Sequence, residues 1–322
     1  MVMQGPLVSV ICLCYNHAQF VEEALQSVID QTYKNIQIII VDDASKDNSA
    51  SVIRNFIERS GRSDIHFLSL STNVGNCKAF NKGFALATGD YIIDFATDDI
   101  MVPERVEKQV EFFGKLNHSV GVIFSDAIYV TSDRKFLYNH FDNLIRRKLI
   151  RSIPEGDVFK DVLTTYFISS PTMMIRKEVL DELGGYDENL AYEDFDFWVR
   201  SARKYRYNYT IEKLTIVRKT PESMSTGWYK IGDRQLDSTY RVCRKAQKLV
   251  RNESEEKALI QRVRYELKQS AFSKNFKEGE SFYTLLKELT SPAWEDTFYY
   301  AIIQLKLPLA FLRNVYNKIK FN

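Results

Sequence analysis

The amino-acid sequence predicts a doubly wound α/β fold, with a mostly parallel central sheet that carries helices on both faces, followed by a helical C-terminal region. Three observations lead to this prediction. Short apolar runs alternate with stretches of helical spacing through the first half of the chain. The second run, residues 36–41, is apolar on both faces, as expected of a parallel strand covered by helices. From about Trp228 onward, charged residues alternate with leucine, valine and aromatic residues, which indicates helices alone.

The first half repeats a strand-and-helix unit. Pro103 predicts a helix start, because proline suits the first helical position, and Gly89 predicts a helix end. The predicted strands are residues 7–14, 36–41, 65–70, 91–95 and 120–125, and helices are predicted from Val21, after residues 45–49, before Gly89 and from Pro103.

The second half is less regular. Residues 131–168 mix charges, aromatic residues and short apolar pieces without a period, and we interpret them as a variable, partly mobile region over the active face. A strand at 172–175, a helix ending at Leu183 and a helix beginning near Glu193 follow. We place a domain boundary close to Gly227, which gives a catalytic domain at 1–227 and a helical region at 228–322.

Composition limits the function. The chain has 322 residues, 45% of them hydrophobic, and 44 Lys and Arg against 42 Asp and Glu, so no overall basic field favours nucleic acid as a partner. The cysteines, of which Cys12 and Cys14 lie in an apolar run, are interpreted as reduced thiols, with metal or redox use as the alternative. No leader and no run of about 18 apolar residues is present, so we expect a cytoplasmic protein.

Acidic and polar residues follow three of the predicted strands. The first strand ends in Tyr15-Asn16, the second in Asp42-Asp43, and the strand from Tyr91 ends in Asp98-Asp99. Ligands of open α/β sheets bind at the carboxyl ends of the strands. Two carboxylate pairs at one edge repel each other unless something positive lies between them, and a divalent cation with a diphosphate satisfies this need. The alternative is that each pair forms a turn or caps a helix.

Neighbouring aspartates suit a nucleotide bound with a metal. One can accept the ribose hydroxyls while the next supplies a hard oxygen ligand to Mg²⁺ or Mn²⁺. The phosphate-binding motifs G-x-x-x-x-G-K-[ST] and G-x-G-x-x-G are both absent, which argues against P-loop NTPases and dinucleotide dehydrogenases. A third acidic pair, Glu193-Asp194, falls in the first turn of a predicted helix. It is either a helix-terminal pair without chemistry or a base for the proton of a sugar hydroxyl.

The order of these motifs resembles glycosyltransferase family 2. The resemblance covers residues 7 to about 200 and depends on several blocks in the right order. These are Val8-Ser9-Val10-Ile11 with Tyr15-Asn16, Ser27 to Tyr33, Ile40-Val41-Asp42-Asp43-Ala44-Ser45, Asn73-Val74-Gly75, Asn81-Lys82-Gly83, Ala87 to Ile92, Thr97-Asp98-Asp99, Gly184-Gly185-Tyr186-Asp187 and Glu193-Asp194.

The resemblance implies a GT-A fold and an inverting hexosyltransferase that uses a nucleotide-diphospho-sugar donor and Mn²⁺ or Mg²⁺. It also implies the roles of individual residues. Tyr15 and Asn16 would line the nucleotide pocket, Asp43 would read the base, Asn73 and Lys78 would lie at the donor, Asp98 would contact the ribose or sugar, Asp99 would hold the metal, and Asp194, with Glu193 beside it, would be the general base.

The chain departs from the family pattern at two places. Phe80 stands where the family usually has arginine, which leaves Lys78 as the nearest candidate for a phosphate contact. None of the histidines stands near Lys219 or Thr220, where many relatives have one that helps to bind metal or diphosphate. A catalytically inactive nucleotide-sugar-binding homologue is therefore the alternative function. A nucleotidyltransferase ranks below it, because that class needs a glycine-rich loop after the first strand.

The last predicted segment, residues 298–321, combines apolar residues with lysine and arginine and contains no acid. Such a segment either lies on an anionic membrane or packs on the catalytic domain or a second subunit. Membrane contact would suit a saccharide or lipid-linked glycan acceptor, as in the synthesis of surface polysaccharides, and would place the protein at the inner face of the plasma membrane. Packing would suit a homo-oligomer.

Overall fold

A computed structural model describes residues 5–220, 229–232 and 234–307 of the chain. The chain forms two compact units. The first comprises Met1–Val158, Thr165–Glu188 and Asp196–Thr220, and the second comprises Phe159–Thr164, Asn189–Phe195 and Pro221–Asn322. The expected boundary at Gly227 lies outside the described residues, so the division into 1–227 and 228–322 stays a prediction.

The first unit is built on one sheet. Its strands are β1 (Val8–Cys14), β2 (Ile36–Asp42), β3 (His66–Ser69), β4 (Tyr91–Ala96), β5 (Ile100–Met101), β6 (Val120–Thr131), β7 (Phe136–Asn139), β8 (Met174–Arg176) and β9 (Arg206–Lys219). They lie in the order β3-β2-β1-β4-β8-β6-β9-β5, with β7 paired to β6. The strands β3, β2, β1 and β4 are parallel, while β8 joins β4 and β6 in antiparallel pairing.

Helices cover both faces of the parallel strands, as the sequence predicted. On one face, α1, α2 and α4 pack on alternate residues of β1 and β2. On the other face, Gly83 of α3 lies so close to Ile11 that a Cβ at this glycine would stand 2.7 Å from its side chain. The helices of the first unit are α1 (Val21–Ile29), α2 (Ser49–Ser60), α3 (Asn76–Phe84), α4 (Arg105–Gly114), α5 (His140–Arg146), α7 (Lys177–Leu183) and most of α8 (Asp194–Ser201).

The second unit is helical in its described part, as predicted. It contains α6 (Phe159–Thr164), α9 (Gln235–Leu249), α10 (Glu253–Ser273), α11 (Phe276–Leu289) and α12 (Trp294–Gln304). Asn252 begins α10 by accepting the N–H of Glu255 at 3.0 Å. At the centre of α10, Arg262 donates to Glu266 at 3.1 Å and to the carbonyl of Leu163 at 2.8 Å. No described helix is long and apolar enough to cross a membrane.

Two expectations need correction. The helix α3 ends at Phe84, not near Gly89. Gly89 instead allows two chain segments to approach, because a Cβ there would lie 2.7 Å from the carbonyl oxygen of Leu7 and the amide nitrogen of Ser9. Residues 131–168 also hold regular elements, since β6 continues to Thr131 and is followed by β7, α5 and α6. All four cysteines are buried thiols without disulfides.

Candidate active site

The carboxyl ends of three parallel strands lie side by side in the first unit. Cys14, the last residue of β1, pairs with Asp42 of β2, and Leu13 pairs with Ala96 of β4. The three polar clusters that follow these strands, Tyr15-Asn16, Asp42-Asp43 and Asp98-Asp99, therefore meet at one edge of the sheet, as the sequence predicted.

Asn16 organises the loop between β2 and α2. It adopts a left-handed backbone with φ of 59°. Its N–H donates to the Ser45 hydroxyl at 2.9 Å, and its side-chain oxygen accepts the N–H of Lys46 at 2.7 Å. Asp42 accepts the N–H of the same Ser45 at 3.2 Å. Tyr15, which precedes this loop contact, keeps 38% of its surface exposed.

Asp43 is buried and holds the chain where α3 begins. Its two carboxylate oxygens accept the N–H groups of Val74 at 2.7 Å and Gly75 at 2.9 Å. The Asn73 amide donates to the Asp43 carbonyl at 3.2 Å. Gly75 has a φ of 87°, which only glycine adopts readily. Asp43 thus joins the end of β2 to the start of α3, and each carboxylate oxygen retains a lone pair for a further donor.

Asp98 and Asp99 form a turn that is hydrogen-bonded to Arg218, near the C-terminal end of β9. Asp99 is 2% exposed, and one of its carboxylate oxygens accepts the Arg218 N–H at 2.9 Å. The Arg218 guanidinium donates to the Asp98 carbonyl at 2.7 Å. Burial and then the Asp98 carboxylate raise the pKa of Asp99 well above its usual value, while the Arg218 N–H and the guanidinium groups of Arg218 and Arg105 oppose this rise.

Arg218 continues this network away from the aspartates. Its guanidinium forms an ion pair with Glu23 of α1 and lies 4.9 Å from the ring centroid of Phe20. Glu23 also pairs with Arg134 at 2.6 Å. The Nε of Arg218 is buried and has no hydrogen-bond partner among the described residues. The guanidinium is therefore fixed by its neighbours and retains one donor.

His17 faces the same aspartate turn from the end of β1. Its Nδ1 lies 3.0 Å from the Thr97 hydroxyl, and its Nε2 lies 4.0 Å from a carboxylate oxygen of Asp98. The His17 N–H donates to Ser49 at 2.9 Å, which fixes the backbone that carries the imidazole. Asp98 is thus the more accessible of the two carboxylates, with its side chain 17% exposed.

The aspartate turn offers a partial metal site. Among residues 5–220, 229–232 and 234–307, no group of three or more His, Cys, Asp and Glu side chains is gathered around one point. Asp98 and Asp99 supply hard carboxylate oxygens, which Mg²⁺ and Mn²⁺ prefer. These donors fit an ion whose remaining ligands are phosphate oxygens and water, and they do not form a closed protein site.

Lys78 and Asn81 contact the chain that follows α7. The Lys78 Nζ lies 3.6 Å from a carboxylate oxygen of Glu188, so its charge is already balanced by an acid. Asn81 accepts the N–H of Tyr186 and donates to its carbonyl, both at 2.9 Å. Asn81 also lies against Gly185, where a Cβ would stand 2.5 Å from its side-chain oxygen. Two of the motifs that resemble family 2, Asn81-Lys82-Gly83 and Gly184-Gly185-Tyr186-Asp187, are therefore in direct contact.

Glu193 and Asp194 belong to the second unit and are half-buried, with Asp194 the first residue of α8. The segment Asn189–Phe195 is bound to the C-terminal helices of that unit. Ser238 of α9 accepts the N–H of Ala191 at 2.8 Å, and the hydroxyl oxygens of Tyr192 and Thr239 lie 2.5 Å apart. The Arg262 guanidinium lies 5.3 Å from the Phe195 ring.

Two residues of the site were not among the predicted ones. His17 directly follows Tyr15 and Asn16, so its position in the same loop could have indicated it. Arg218 lies just before Lys219 and Thr220, where the resemblance led us to expect a histidine, but only the pairing of β9 with β5 shows that it reaches the aspartate turn. Sequence spacing alone does not give this pairing.

Comparisons with known proteins show the family of this chain. The family model described as Glycosyl transferase family 2 matches residues 9–184, more than half of the chain. The uncharacterized glycosyltransferase MJ1057 of Methanocaldococcus jannaschii is 30% identical over 223 residues, which cover 68% of this chain and 72% of that protein. Of three rickettsial relatives that also match, the chain covers 28% to 59% of the length.

Two groups of solved structures share the fold. The mannosyltransferase PcManGT from Pyrobaculum calidifontis, solved in complex with GDP-Man and Mn²⁺, superposes with a TM-score of 0.61 at 16% identity, covering 98% of this chain and 89% of that one. Residues 1–349 of TarS from S. aureus, solved with UDP, give a TM-score of 0.66 at 16% identity, covering 93% and 90%. The GT-A fold that the sequence predicted is thus confirmed, and the chain belongs to glycosyltransferase family 2.

Proposed function

We propose that the protein transfers a hexosyl group, with inversion, from a nucleotide-diphospho-sugar to a hydroxyl of a saccharide or lipid-linked glycan. The observation that carries this proposal is the Asp98-Asp99 turn at the carboxyl edge of the parallel strands, held by Arg218 in a member of family 2. Both the backbone N–H and the guanidinium of Arg218 bind this turn. Such a turn suits a charged donor, because its carboxylates need little reorganisation when the donor binds.

The donor would occupy the edge formed by β1, β2 and β4. The solved structures of PcManGT with GDP-Man and of TarS with UDP-GlcNAc support a nucleotide sugar as the ligand class. Tyr15 and Asn16 would line the nucleoside pocket. Asp43, whose carbonyl accepts a hydrogen bond from Asn73, would contact the base. Asp98 would accept the ribose or sugar hydroxyls, since it is the more accessible carboxylate of the turn.

Asp99 would hold Mn²⁺ or Mg²⁺ together with the donor phosphates. The ion, when bound, neutralises the charge that develops on the departing diphosphate. Lys78 would contribute a phosphate contact after leaving Glu188, from which its ammonium is 3.6 Å away in this structure. A surface ion pair of this kind is worth at most about 1 kcal/mol, so a phosphate group can replace the carboxylate at little cost.

Asp194 would be the general base, with Glu193 beside it. A bond forms between the acceptor oxygen and the anomeric carbon as the bond from that carbon to the diphosphate oxygen breaks. The acceptor proton passes to the Asp194 carboxylate, and the diphosphate leaves with the electron pair of the broken bond. The position of Asp194 at the first residue of α8 suits a carboxylate, because the helix dipole favours negative charge there.

The acceptor and the location are part of the proposal. We propose that the acceptor is a saccharide or lipid-linked glycan of surface polysaccharide synthesis and that the protein meets it at the cytoplasmic face of the membrane. Contact of the predicted segment 298–321 with a membrane or with a second subunit stays a prediction. The structure describes this segment only to residue 307, and in this part α12 ends at Gln304 and buries Ile302 and Ile303.

A nucleotide-sugar-binding protein without turnover is the second candidate. It is favoured by Lys219, which stands near the position where relatives have a histidine. The ammonium of Lys219 lies 5.7 Å from the Tyr129 ring and 5.4 Å from the Tyr138 ring. This aromatic contact differs from the metal or diphosphate contact expected of the histidine.

The first experiment is a thermal-shift panel of UDP, GDP, dTDP and CMP sugars, each with and without Mn²⁺. A ligand that binds only the native state raises the melting temperature by mass action. We expect the melting temperature to rise with the sugars of one nucleotide base only, and only when Mn²⁺ is present. That base identifies the class of donor. No shift with any donor would contradict the proposal.

Variants then separate the roles. Asp99→Asn is expected to abolish the Mn²⁺-dependent shift, whereas Asp194→Asn is expected to keep the shift and to lose transfer of the sugar. Asp237→Asn, which removes an exposed carboxylate paired with Arg241, is the control and keeps both. Donor binding without transfer in the wild-type protein would favour the second candidate, and intact transfer in both site variants would overturn the assigned roles.

A further inference from the structure

The segment from Arg134 to Arg151, here named the β7–α5 segment, is far more basic than the chain as a whole. It contains six lysines and arginines and a single acid, Asp142, whereas the whole chain has 44 cations and 42 acids. Four of the cations follow one another closely at the end of α5. These are Arg146, Arg147, Lys148 and Arg151, and all four side chains are exposed.

The same segment exposes large apolar side chains. Phe136 is 64% exposed, Ile145 47%, Leu149 42% and Leu137 41%. These are four of the fourteen large apolar side chains that are exposed in the described residues, so they are concentrated in a short stretch. Single exposed apolar residues are normal on a protein surface, but Ile145 and Leu149 stand directly among the exposed cations at the end of α5. Such a mixture indicates an interaction surface.

The β7–α5 segment is anchored to the rest of the first unit by residues other than the exposed apolar ones. Phe141 and Leu144 are buried, and the Phe141 N–H donates to Asp126 of β6 at 2.9 Å. The Nε2–H of the buried His140 donates to the Phe167 carbonyl at 2.9 Å. The exposed apolar residues of α5 are thus additional to the set that packs inward.

The end of α5 has an ordered backbone that presents the cations. Lys148 adopts a left-handed conformation with φ of 54°. Its N–H donates to the Ile145 carbonyl at 2.9 Å, and the Leu149 N–H donates to the Leu144 carbonyl at 3.0 Å. This closed turn is a defined end to the helix. It holds the exposed side chains of Ile145, Lys148 and Leu149 within one short piece of chain.

We propose that the β7–α5 segment docks on an anionic phospholipid surface. Lysine and arginine are attracted to anionic headgroups and can extend their charged ends toward them, while neighbouring apolar side chains enter the boundary with the acyl chains. The mixture of exposed phenylalanine, leucine and isoleucine with four clustered cations matches both layers of such a surface. Arg134 pairs with Glu23 and Lys135 with Asp133, and the four exposed cations at the end of α5 are the densest group of positive charge in the segment.

This docking goes beyond the proposed transfer reaction and involves a different part of the chain from residues 308–322. It would bring the first unit to the membrane where a lipid-linked acceptor resides. The binding is measured without donor or acceptor, so a failure of the docking proposal and a failure of the proposed reaction are distinguishable.

The test is co-sedimentation of the full chain with vesicles of phosphatidylcholine alone or with added phosphatidylglycerol. Binding to the anionic vesicles only, weakened by salt, is expected. The triple variant Arg146→Gln/Arg147→Gln/Lys148→Gln is expected to lose about a hundredfold in vesicle affinity, since each cation near an anionic surface contributes about a fivefold gain. The control Lys115→Gln/Lys248→Gln/Lys277→Gln removes three exposed cations elsewhere and keeps the affinity.

A second pair of substitutions tests the apolar contact. Phe136→Ser/Leu149→Ser is expected to weaken binding to anionic vesicles while leaving the melting temperature of the protein without ligand unchanged, which shows that the fold is intact. Three results would overturn the proposal. They are failure to bind anionic vesicles, full affinity in the triple variant, and binding of single-stranded RNA or an acidic peptide by the segment in place of vesicles.

Discussion

The backbone N–H of Arg218 donates to the Asp99 carboxylate at 2.9 Å, across 119 residues of sequence. The guanidinium of the same residue donates to the Asp98 carbonyl, so one arginine fixes both residues of the turn. We expect Arg218→Lys to weaken Mn²⁺-dependent donor binding about tenfold, because an ammonium cannot reproduce the planar set of donors of a guanidinium. Titration calorimetry with donor and Mn²⁺ measures this loss.

The matched control for Arg218 is Arg176, another buried arginine of the first unit. Arg176 donates to the Val120 carbonyl at 2.8 Å and lies 4.6 Å from the Phe113 ring. Arg176→Lys is expected to lower the melting temperature and to leave donor affinity unchanged. A loss of donor affinity in Arg176→Lys as large as that in Arg218→Lys would show that the effect is one of general stability.

Asp43 is expected to serve both the fold and the donor. In Asp43→Ala the N–H groups of Val74 and Gly75 lose their carboxylate, which should cost about 2 to 3 kcal/mol of unfolding free energy. Urea unfolding measures this change. The control is Asp47→Ala, which removes contacts to the N–H groups of Ala18 and Ser49 at 3.0 and 2.9 Å and should preserve the preference for one base. If Asp43→Ala keeps the preference for one base, Asp43 does not contact the base of the donor.

Tyr192 is expected to position Asp194 through the C-terminal helices. Its hydroxyl contacts Thr239 of α9, and Tyr192→Phe removes this contact while keeping the ring. A single hydrogen bond contributes about 1 kcal/mol, so we expect about a fivefold lower kcat with an unchanged KM for the donor. Tyr300→Phe is the control, since Tyr300 stacks on Tyr283 with centroids 3.8 Å apart. A raised KM for the donor in Tyr192→Phe would contradict a role limited to positioning.

His140 is expected to make stability fall in acid. Burial lowers the pKa of His140 below its ordinary value, although the Phe167 carbonyl opposes this change. The native state thus favours the neutral imidazole, and as the pH falls through about 6.5 the unfolded chain binds the proton more readily than the native one. The resulting loss of stability continues until the pH is below the native pKa.

The measurement is urea unfolding of the wild-type protein and His140→Gln over this pH range. The variant is expected to lose less stability on acidification, because a glutamine side chain cannot take up a proton and can still donate to the Phe167 carbonyl. His118→Gln replaces an exposed histidine and serves as the control. A decline in His140→Gln as steep as in the wild type would show that other groups cause it.

Gly89 and Gly114 give opposite predictions for the same substitution. Gly89→Ala places a methyl group 2.7 Å from the Leu7 carbonyl oxygen and is expected to cost more than about 2 kcal/mol of unfolding free energy, as overpacking does. Gly114→Ala has no atom within 4 Å and lies at the end of α4, so it should be neutral or stabilising by up to about 1 kcal/mol. Equal effects in the two variants would contradict the close approach at Gly89.

The centre of the parallel half of the sheet could be predicted because β1 and the second part of β2 are buried on both faces. Apart from Ser9, β1 is apolar, residues 38–41 of β2 are apolar, and the helical spacing of α1 between them indicates a strand, a helix and a strand. The strands β6 and β9 could not be predicted at their full lengths. Their pairing, which extends to Thr131 and Lys219, is non-local and includes register shifts. Their outer halves mix polar and apolar residues without a regular period.

The candidate site was predictable where a strand end carries its own polar residues, as at Asp43 and Asp99. It was not predictable where the contact depends on a distant strand. Arg218 reaches the aspartate turn only because β9 pairs with β5, a strand of two residues that has no pattern of its own. Gly89 shows the same limit. The sequence alone does not reveal whether a glycine ends a helix or allows two chain segments to approach each other.

The attachment of Asn189–Phe195 to α9 and α10 has a consequence for recombination between relatives. The family model ends at residue 184, before this segment, while the segment with Asp194 shares its hydrogen bonds with Ser238 and Thr239. A chimaera that exchanges only the C-terminal helices would bring in new side chains opposite Ala191 and Tyr192. Successful grafts should therefore exchange three pieces together, Phe159–Thr164, Asn189–Phe195 and the C-terminal helices, and natural variation in one of them should be matched by variation in the others.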